Sequence, residues 1–307
     1  MSVESGFVDL QVNGYSGVDF NSNHVSVEQF RFACEQLREH GVDGILATII
    51  TDDVDLMQKR LANIVSARNA DSLIAEVIWG VHIEGPFLNE QPGYIGAHPT
   101  EHAKPANRDD MLRLLDAAGG LTKIVTLAPE RDPNHDVTRM LSEQGIVVSA
   151  GHCNPSIDEL DAAIDSGLRM FTHLGNGCPL DQHRHDNIIQ RILSRSPDLW
   201  IGFIADGVHV PSFALGNYLK CAGFDRSFIV TDAIAAAGKG PGIYELANQT
   251  VVVDDNLATW AEDKSHLVGS ASTMHHLVSV LSKQIGLTDI TIRQLTIDNP
   301  KNILLPS

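Results

Sequence analysis

Eight short runs rich in apolar and β-branched residues recur along the chain, separated by longer amphipathic stretches. They are Gly6–Val12, Gly44–Ile50, Glu76–Ile83, Lys123–Leu127, Ile146–Ser149, Arg169–Thr172, Leu199–Ile204 and Ser227–Val230. Runs of this length bounded by polar segments are strands, and the stretches between them carry helical spacing. Two of those stretches open with capping-box spacing, Ser26-Val-Glu-Gln29 before Phe30 and Ser156-Ile-Asp-Glu159 before Leu160. Strands alternating with helices form a parallel sheet, and strands apolar almost throughout are buried on both faces. Eight βα units close a TIM-type (β/α)8 barrel, which is the predicted fold. An open doubly wound sheet is the alternative, but no GxGxxG follows the first strand, where a dinucleotide fold places its phosphate loop.

The expected organisation is one barrel domain over residues 1–307, because no internal repeat, low-complexity tract or Pro/Ser-rich linker divides the chain. Barrels of ~250 residues fold around a single core, so this length is compatible with one domain. Gly238–Lys264, rich in Gly, Asp and β-branched residues, reads as a long connection with a hairpin excursion after the eighth strand. A last helix is expected around Thr273–Lys283.

A hydrophobic fraction of 43% with 20% charged residues is that of an ordinary globular protein. The formal net charge of -17 repels nucleic acids and acidic membranes, and no run of Lys or Arg offers a local exception. A small anionic substrate would need its own cluster of donors. Cys34, Cys153, Cys178 and Cys221 are scattered and form no CxxC, which fits free thiols in a reducing compartment. The start MSVESGFVDLQ lacks a signal-peptide pattern, and no run of ~18 apolar residues occurs, so a cytoplasmic location without membrane contact is expected.

Residues able to bind a metal or move a proton fall at the C-terminal ends of six predicted strands. The first ends in Gln11-Val-Asn13, the third in His82-Ile-Glu84, the fifth in Ser149-Ala-Gly-His152 and the sixth in Thr172-His173. The seventh ends in Asp206-Gly-Val-His209 and the eighth in Thr231-Asp232. Barrel active sites sit at that face. Glu84, His152 and His173 offer one carboxylate and two imidazoles, a set that suits Zn²⁺ or a similar ion and leaves a position open for water. Asp232, facing the same centre, reads as the general base. The plainer readings are a hydrogen-bonded structural histidine at a strand end and, for Asp232, a helix N-cap; two histidines and a glutamate at matching ends favour a site. His82 shares the face of Glu84 one layer deeper, where a core or supporting role is as good a reading as ligation. The Gly238-Lys-Gly240-Pro-Gly242 stretch carries no Walker pattern and reads as a flexible loop, and His275 and His276 read as structural.

At these residues the sequence resembles N-acetylglucosamine-6-phosphate deacetylases of the amidohydrolase superfamily. The likeness runs through Gly6-Phe-Val-Asp-Leu-Gln-Val-Asn-Gly14, His82-Ile-Glu-Gly-Pro-Phe-Leu88, Gly96-Ala-His-Pro99, Leu127-Ala-Pro-Glu130, Ser149-Ala-Gly-His152, Thr172-His-Leu-Gly-Asn176, Ile204-Ala-Asp-Gly-Val-His209, Val230-Thr-Asp232, Gly269-Ser-Ala271 and Asn299-Pro300. The resemblance implies that Glu84, His152 and His173 bind the metal and that Asp232 is the acid/base. Many amidohydrolases hold a second metal with His-x-His on the first strand; Gln11-Val-Asn13 stands there instead, and neutral amides are poor zinc ligands, so one divalent ion per site is expected, Zn²⁺ or alternatively Fe²⁺. It further implies that His98 and His209 orient the sugar and the acyl carbonyl, and that Asn176 with the Gly177 amide contacts the phosphate of an amino-sugar phosphate. Arg184 falls at the phosphate-binding arginine, which reaches a neighbouring subunit's site in a homodimer. The plain reading of Arg184 is a solvated loop residue between Asp181 and Asp186.

The resemblance also implies a small β-sandwich flanking the barrel; this chain begins almost on the first strand and stops at Asn299-Pro-Lys-Asn-Ile-Leu-Leu-Pro-Ser307, so a barrel lacking most of that sandwich is expected. Gly175, Gly177, Cys178 and His183-Arg184-His185-Asp186 depart from the usual phosphate loop. A different N-acyl hexosamine, phosphorylated or not, stays open as substrate. So do dihydroorotase-like ring opening or deamination, whose usual His-x-His is absent, and a non-catalytic sugar-phosphate sensor.

Overall fold

Side chains alternating along each strand divide this chain into an inner and an outer layer. The computed structural model describes residues 6–246, 249–264 and 267–305; the first five residues, positions 247 and 248 within the expected Gly238–Lys264 excursion, positions 265 and 266 just after it, and the last two residues lie outside them. Eight strands follow one another in order and all pair in parallel: β1 (Phe7–Val12), β2 (Val42–Ile50), β3 (Ile78–Glu84), β4 (Thr122–Leu127), β5 (Val147–Ala150), β6 (Leu168–Phe171), β7 (Trp200–Ile204) and β8 (Ser227–Val230). This is the expected barrel. Strand positions agree with the sequence reading to within two residues, and Glu76 and Val77 belong instead to a short helix, Ser72–Val77, capped by Asp71. The first and last strands meet through a bridge between Val12 and Ala233, and the Thr231 amide donates to the Asp9 carboxylate.

Inward-facing residues form two zones. Toward the N-terminal ends of the strands Val8, Leu10, Leu46, Ile124, Met170, Phe228 and Val230 pack together, with Ile303 closing the floor. Above them the same inward positions are polar, with Gln11, Thr48, His82, Glu84, Thr126, Ser149 and Thr172 all buried. Outward residues such as Ile45, Ala47, Ile49, Val81, Ile83, Val125 and Leu127 pack with helix residues that include Phe30, Leu37, Met57, Leu61 and Leu114. Both expected capping boxes form, Ser26 with Gln29 on α1 (Val27–Glu39) and Ser156 with Glu159 on α2 (Ile157–Asp165).

The Gly238–Lys264 connection is structured. It folds into an antiparallel sheet, β9 (Gly242–Leu246), β10 (Gln249–Val253) and β11 (Thr259–Ala261), whose buried face joins Val251 and Val253 to Ile234, Ala236 and Val268. The last expected helix runs from Met274 to Val280 with Thr273 as its cap and then widens over Leu281–Ile285. Among the described residues no β-sandwich accompanies the barrel, and no helix is long and apolar enough to cross a membrane.

Candidate metal centre and active site

His152, His173 and Asp232 stand two residues beyond the ends of β5, β6 and β8, and each has a positive φ, 49°, 31° and 51°. A non-glycine residue in this left-handed region costs ~1–3 kcal/mol, and such strain concentrates at functional sites. Glycines make room for the result. Gly96 and Gly177, themselves at φ 60°, approach the His152 ring so closely that a Cβ on either would stand 3.0 Å from its Cε1 or 2.9 Å from its Nδ1.

These strand ends converge on Glu84. Its Oε1 lies 3.2 Å from His173 Nε2 and 3.4 Å from His152 Nε2, and its Oε2 lies 4.0 Å from His98 Nε2. His152 Nε2 is 3.2 Å from Nε2 of both His98 and His173. Ligand atoms of Glu84, His98 and His152 all fall within 4.8 Å of one another, a possible metal site. Proton positions show why a cation fits. The Tyr94 carbonyl, 2.8 Å from His152 Nδ1, can only accept, so Nδ1 carries a proton and Nε2 is the nitrogen that can turn a lone pair toward the carboxylate. Burial and the neighbouring His152 push His98 down to about 3, which keeps that ring neutral. Burial alone would raise Glu84, yet the rings of His152, His173 and His98 set around it hold its carboxyl well below the usual carboxylate range. Lone pairs and a buried anion facing each other repel unless a cation lies between them. The donor set of imidazoles and one carboxylate suits zinc or a similar ion.

The first-strand amides bond the two carboxylates. Gln11 Nε2 donates to both oxygens of Glu84, at 3.2 and 3.1 Å, while its own oxygen accepts from Thr172 Oγ1 at 2.6 Å. Asn13 Nδ2 donates to Asp232 Oδ1 at 2.7 Å. Burial raises Asp232 to about 6, with His173 opposing the shift and Glu84 adding to it. Beside it, Asp206 Oδ2 accepts from His209 Nδ1 at 2.7 Å and its Oδ1 accepts the backbone amides of Val208 and His209, so the ring is fixed with Nε2 as its free nitrogen. His82 lies beneath this layer, fully buried between the Leu10 carbonyl and Thr126 Oγ1, in the supporting position that its place on β3 allowed.

A cleft of about 620 Å³ opens over the cluster, lined among others by Asn13, Glu84, His98, His152, His173, Asn176, Gly177, His209 and Asp232. No protein-family model matches the chain. The N-acetylglucosamine-6-phosphate deacetylase of Bacillus subtilis (strain 168) is 31% identical over 276 residues, which cover 88% of this chain and 67% of that protein. The Homo sapiens protein of the same name is 35% identical over 88% of this chain and 66% of its own length. This chain belongs to the N-acetylglucosamine-6-phosphate deacetylase family. It spans about two thirds of the length of the curated relatives it matches. An N-acetylgalactosamine-6-phosphate deacetylase of Shewanella sp. (strain ANA-3) is also similar, 30% identical over 92% of this chain and 69% of that protein. Among solved structures, a mutant of the deacetylase from Mycobacterium smegmatis in complex with N-acetyl-D-glucosamine-6-phosphate superposes with a TM-score of 0.88 at 26% identity, covering 98% of this chain and 77% of the other.

Set in this deacetylase family, the residues singled out from sequence divide into two groups. All but Gln11 and Arg184 line the one cleft, and Gln11 sits directly behind Glu84. Arg184 is exposed on the loop after His173, outside the cleft of its own chain. That loop is tied down by Arg191, which binds Asp186 at 2.7 Å, Asn154 at 2.9 Å and the Pro155 carbonyl at 2.8 Å. His98, expected from the resemblance to orient substrate, stands with Glu84 and His152 in the possible metal site. Sequence reasoning missed Trp260 on β11 and Leu267, which is bridged to it, both in the cleft wall, and Tyr94, whose carbonyl holds the His152 ring through Nδ1. A backbone carbonyl leaves no signal in sequence, and nothing in the spacing of Trp260 foretells which way its sheet folds.

Proposed function

We propose that this chain is a metal-dependent hydrolase that removes the acetyl group from N-acetylglucosamine 6-phosphate, giving glucosamine 6-phosphate and acetate. The single observation that carries the reading is the juxtaposition, in one cleft, of a buried Glu–His–His cluster and a carboxylate raised to about 6. Glu84, His152 and His173 would hold one divalent cation, Zn²⁺ or alternatively Fe²⁺. Their placement on barrel strand ends supports this set, whereas His98 comes from the loop between β3 and β4. Such an ion supplies Lewis acidity, lowering the pKa of water and polarising the acetamide carbonyl.

Asp232 accepts the proton of the attacking water as its oxygen adds to the acetyl carbon. The same carboxyl then returns that proton to the nitrogen as the C–N bond breaks, so one group serves both halves of the reaction. Gln11 holds Glu84, and Asn13 holds Asp232, in the orientations this needs. His98 and His209 orient the sugar and the acyl carbonyl, while Asn176 and the Gly177 amide receive the phosphate. Arg184, exposed, without an ion pair among the described residues and not part of the lining of its own cleft, is the residue a partner protomer would lend in a homodimer, its planar fork matching two phosphate oxygens. The four free thiols fit a cytoplasmic enzyme.

The test is acetate release from N-acetylglucosamine 6-phosphate by purified protein, before and after chelation and readdition of Zn²⁺ or Fe²⁺. Metal-dependent release is expected; a metal-loaded protein that releases none sinks the reading. N-acetylgalactosamine 6-phosphate belongs in the same assay, because a relative named for that substrate is similar over most of this chain.

A further inference from the structure

Asp9 is a buried acid that the reaction above does not use. It sits on β1, 1% exposed, and its carboxylate accepts from the Thr231 amide at 3.2 and 3.3 Å, from Thr231 Oγ1 at 2.5 Å and from the Gln11 amide at 3.3 Å. The position explains the residue type. β8 ends at Val230 and its segment pairs with β1 only beyond that end, at the Val12–Ala233 bridge, so Asp9 supplies the acceptor that a neighbouring strand would otherwise give. Burial makes that carboxylate costly, raising it to about 7, and three donors on one group offset the cost.

What Asp9 holds is the residue next to the base. Thr231 Oγ1 donates a hydrogen bond to Asp9 and accepts one from the Ala233 amide at 3.1 Å. The Asp232 carbonyl accepts the Ser270 amide at 2.9 Å, and the Ala233 carbonyl accepts the Asn13 amide at 2.7 Å. Asp232, at φ 51°, is therefore clamped on both sides, and the clamp on its N-terminal side runs through Asp9.

We propose that Asp9 is a positioning residue for the deacetylation: acting through Thr231, it holds Asp232 in the left-handed backbone conformation that aims its carboxylate into the cleft. The inference rests on Asp232 being the base. Its test is a double-mutant cycle of Asp9→Asn and Thr231→Val, read as kcat and KM with metal content measured alongside. Each single variant should lose about tenfold in kcat, the low end of the range for residues that orient a site from behind, with KM and metal content within about twofold of wild type. The double variant should lose no more than the worse single one, since both break the same link. Thr231→Ser, which keeps the hydroxyl, should retain wild-type kcat, and it carries the test with Thr231→Val if Asp9→Asn does not fold.

Folded, metal-loaded variants with unchanged kcat would show that Asp9 only closes the barrel and overturn the proposal. So would losses that multiply in the double variant. A wild-type protein with no deacetylase activity fails the functional reading itself and takes this inference down with it, whereas an active wild type with active variants removes this inference alone.

Discussion

Asp232 is buried among opposing influences, and its chemistry follows from their balance. Burial lifts its carboxyl to about 6, so it is ionised, and competent as a base, only above that pH. The rate kcat/KM should accordingly fall as pH drops through about 6, and a pH profile measured on metal-saturated protein checks it. Replacing Asp232 by Asn keeps the shape and the contact with Asn13 while removing the basic site. Turnover should fall by about two to four powers of ten with metal content intact, and full activity would remove Asp232 from the mechanism. Gly177 makes a different prediction. Its φ of 60° and the 2.9 Å approach of a Cβ to His152 Nδ1 mean that Gly177→Ala displaces the ring that the Tyr94 carbonyl orients. Metal affinity should weaken by about 10–100-fold, the range for lost support of a ligand, as read by metal titration.

At the scale of elements, the barrel strands deliver the site and the helices stabilise it from outside. The repeated offset of two residues beyond β5, β6 and β8 shows that delivery is a property of the strand end rather than of any one loop. The capping box of α2, by contrast, serves only that helix. Ser156 accepts the Glu159 amide and Glu159 accepts the Ser156 amide in return, both near the surface. Ser156→Ala should cost about 1 kcal/mol in a denaturant titration and leave kcat unchanged. The β9–β11 sheet shows the reverse pattern. Sequence placed an excursion at Gly238–Lys264, and its Gly-rich start read as a flexible loop, but Val251, Val253 and Val268 bury one face of it and bring Trp260 to the cleft wall.

At the scale of the whole molecule, a cation bound by a cluster formed only in the folded state must stabilise that state. Metal at 100 times its dissociation constant should add about 2.7 kcal/mol, and chelation should lower the thermal midpoint while abolishing activity. The proposed sharing of sites in a homodimer makes a separate prediction. Mixing Arg184→Ala and Asp232→Asn protomers equally and letting them exchange gives hybrids for half the dimers, each with one of its two sites complete. About a quarter of wild-type activity should return if Arg184 acts on the partner's site, and none if it acts on its own.

Strand periodicity, capping boxes and the types of residue at strand ends are local, so the sequence alone determined the barrel and the convergence of Glu84, His152, His173, His209 and Asp232 on one mouth. Resemblance added His98, Asn176 and Gly177, and the cleft contains all three. Contacts between residues far apart in the chain were decided by tertiary structure. Gln11 bonds Glu84 73 positions away, and Asp9 bonds Thr231 222 positions away. Neither partner can be read from spacing, because which carboxylate an amide meets depends on how the first strand is set against the others when the barrel closes. The same holds for Trp260 and the Tyr94 carbonyl: residue type and period report which face a side chain takes, while its partner is fixed only once the layers pack.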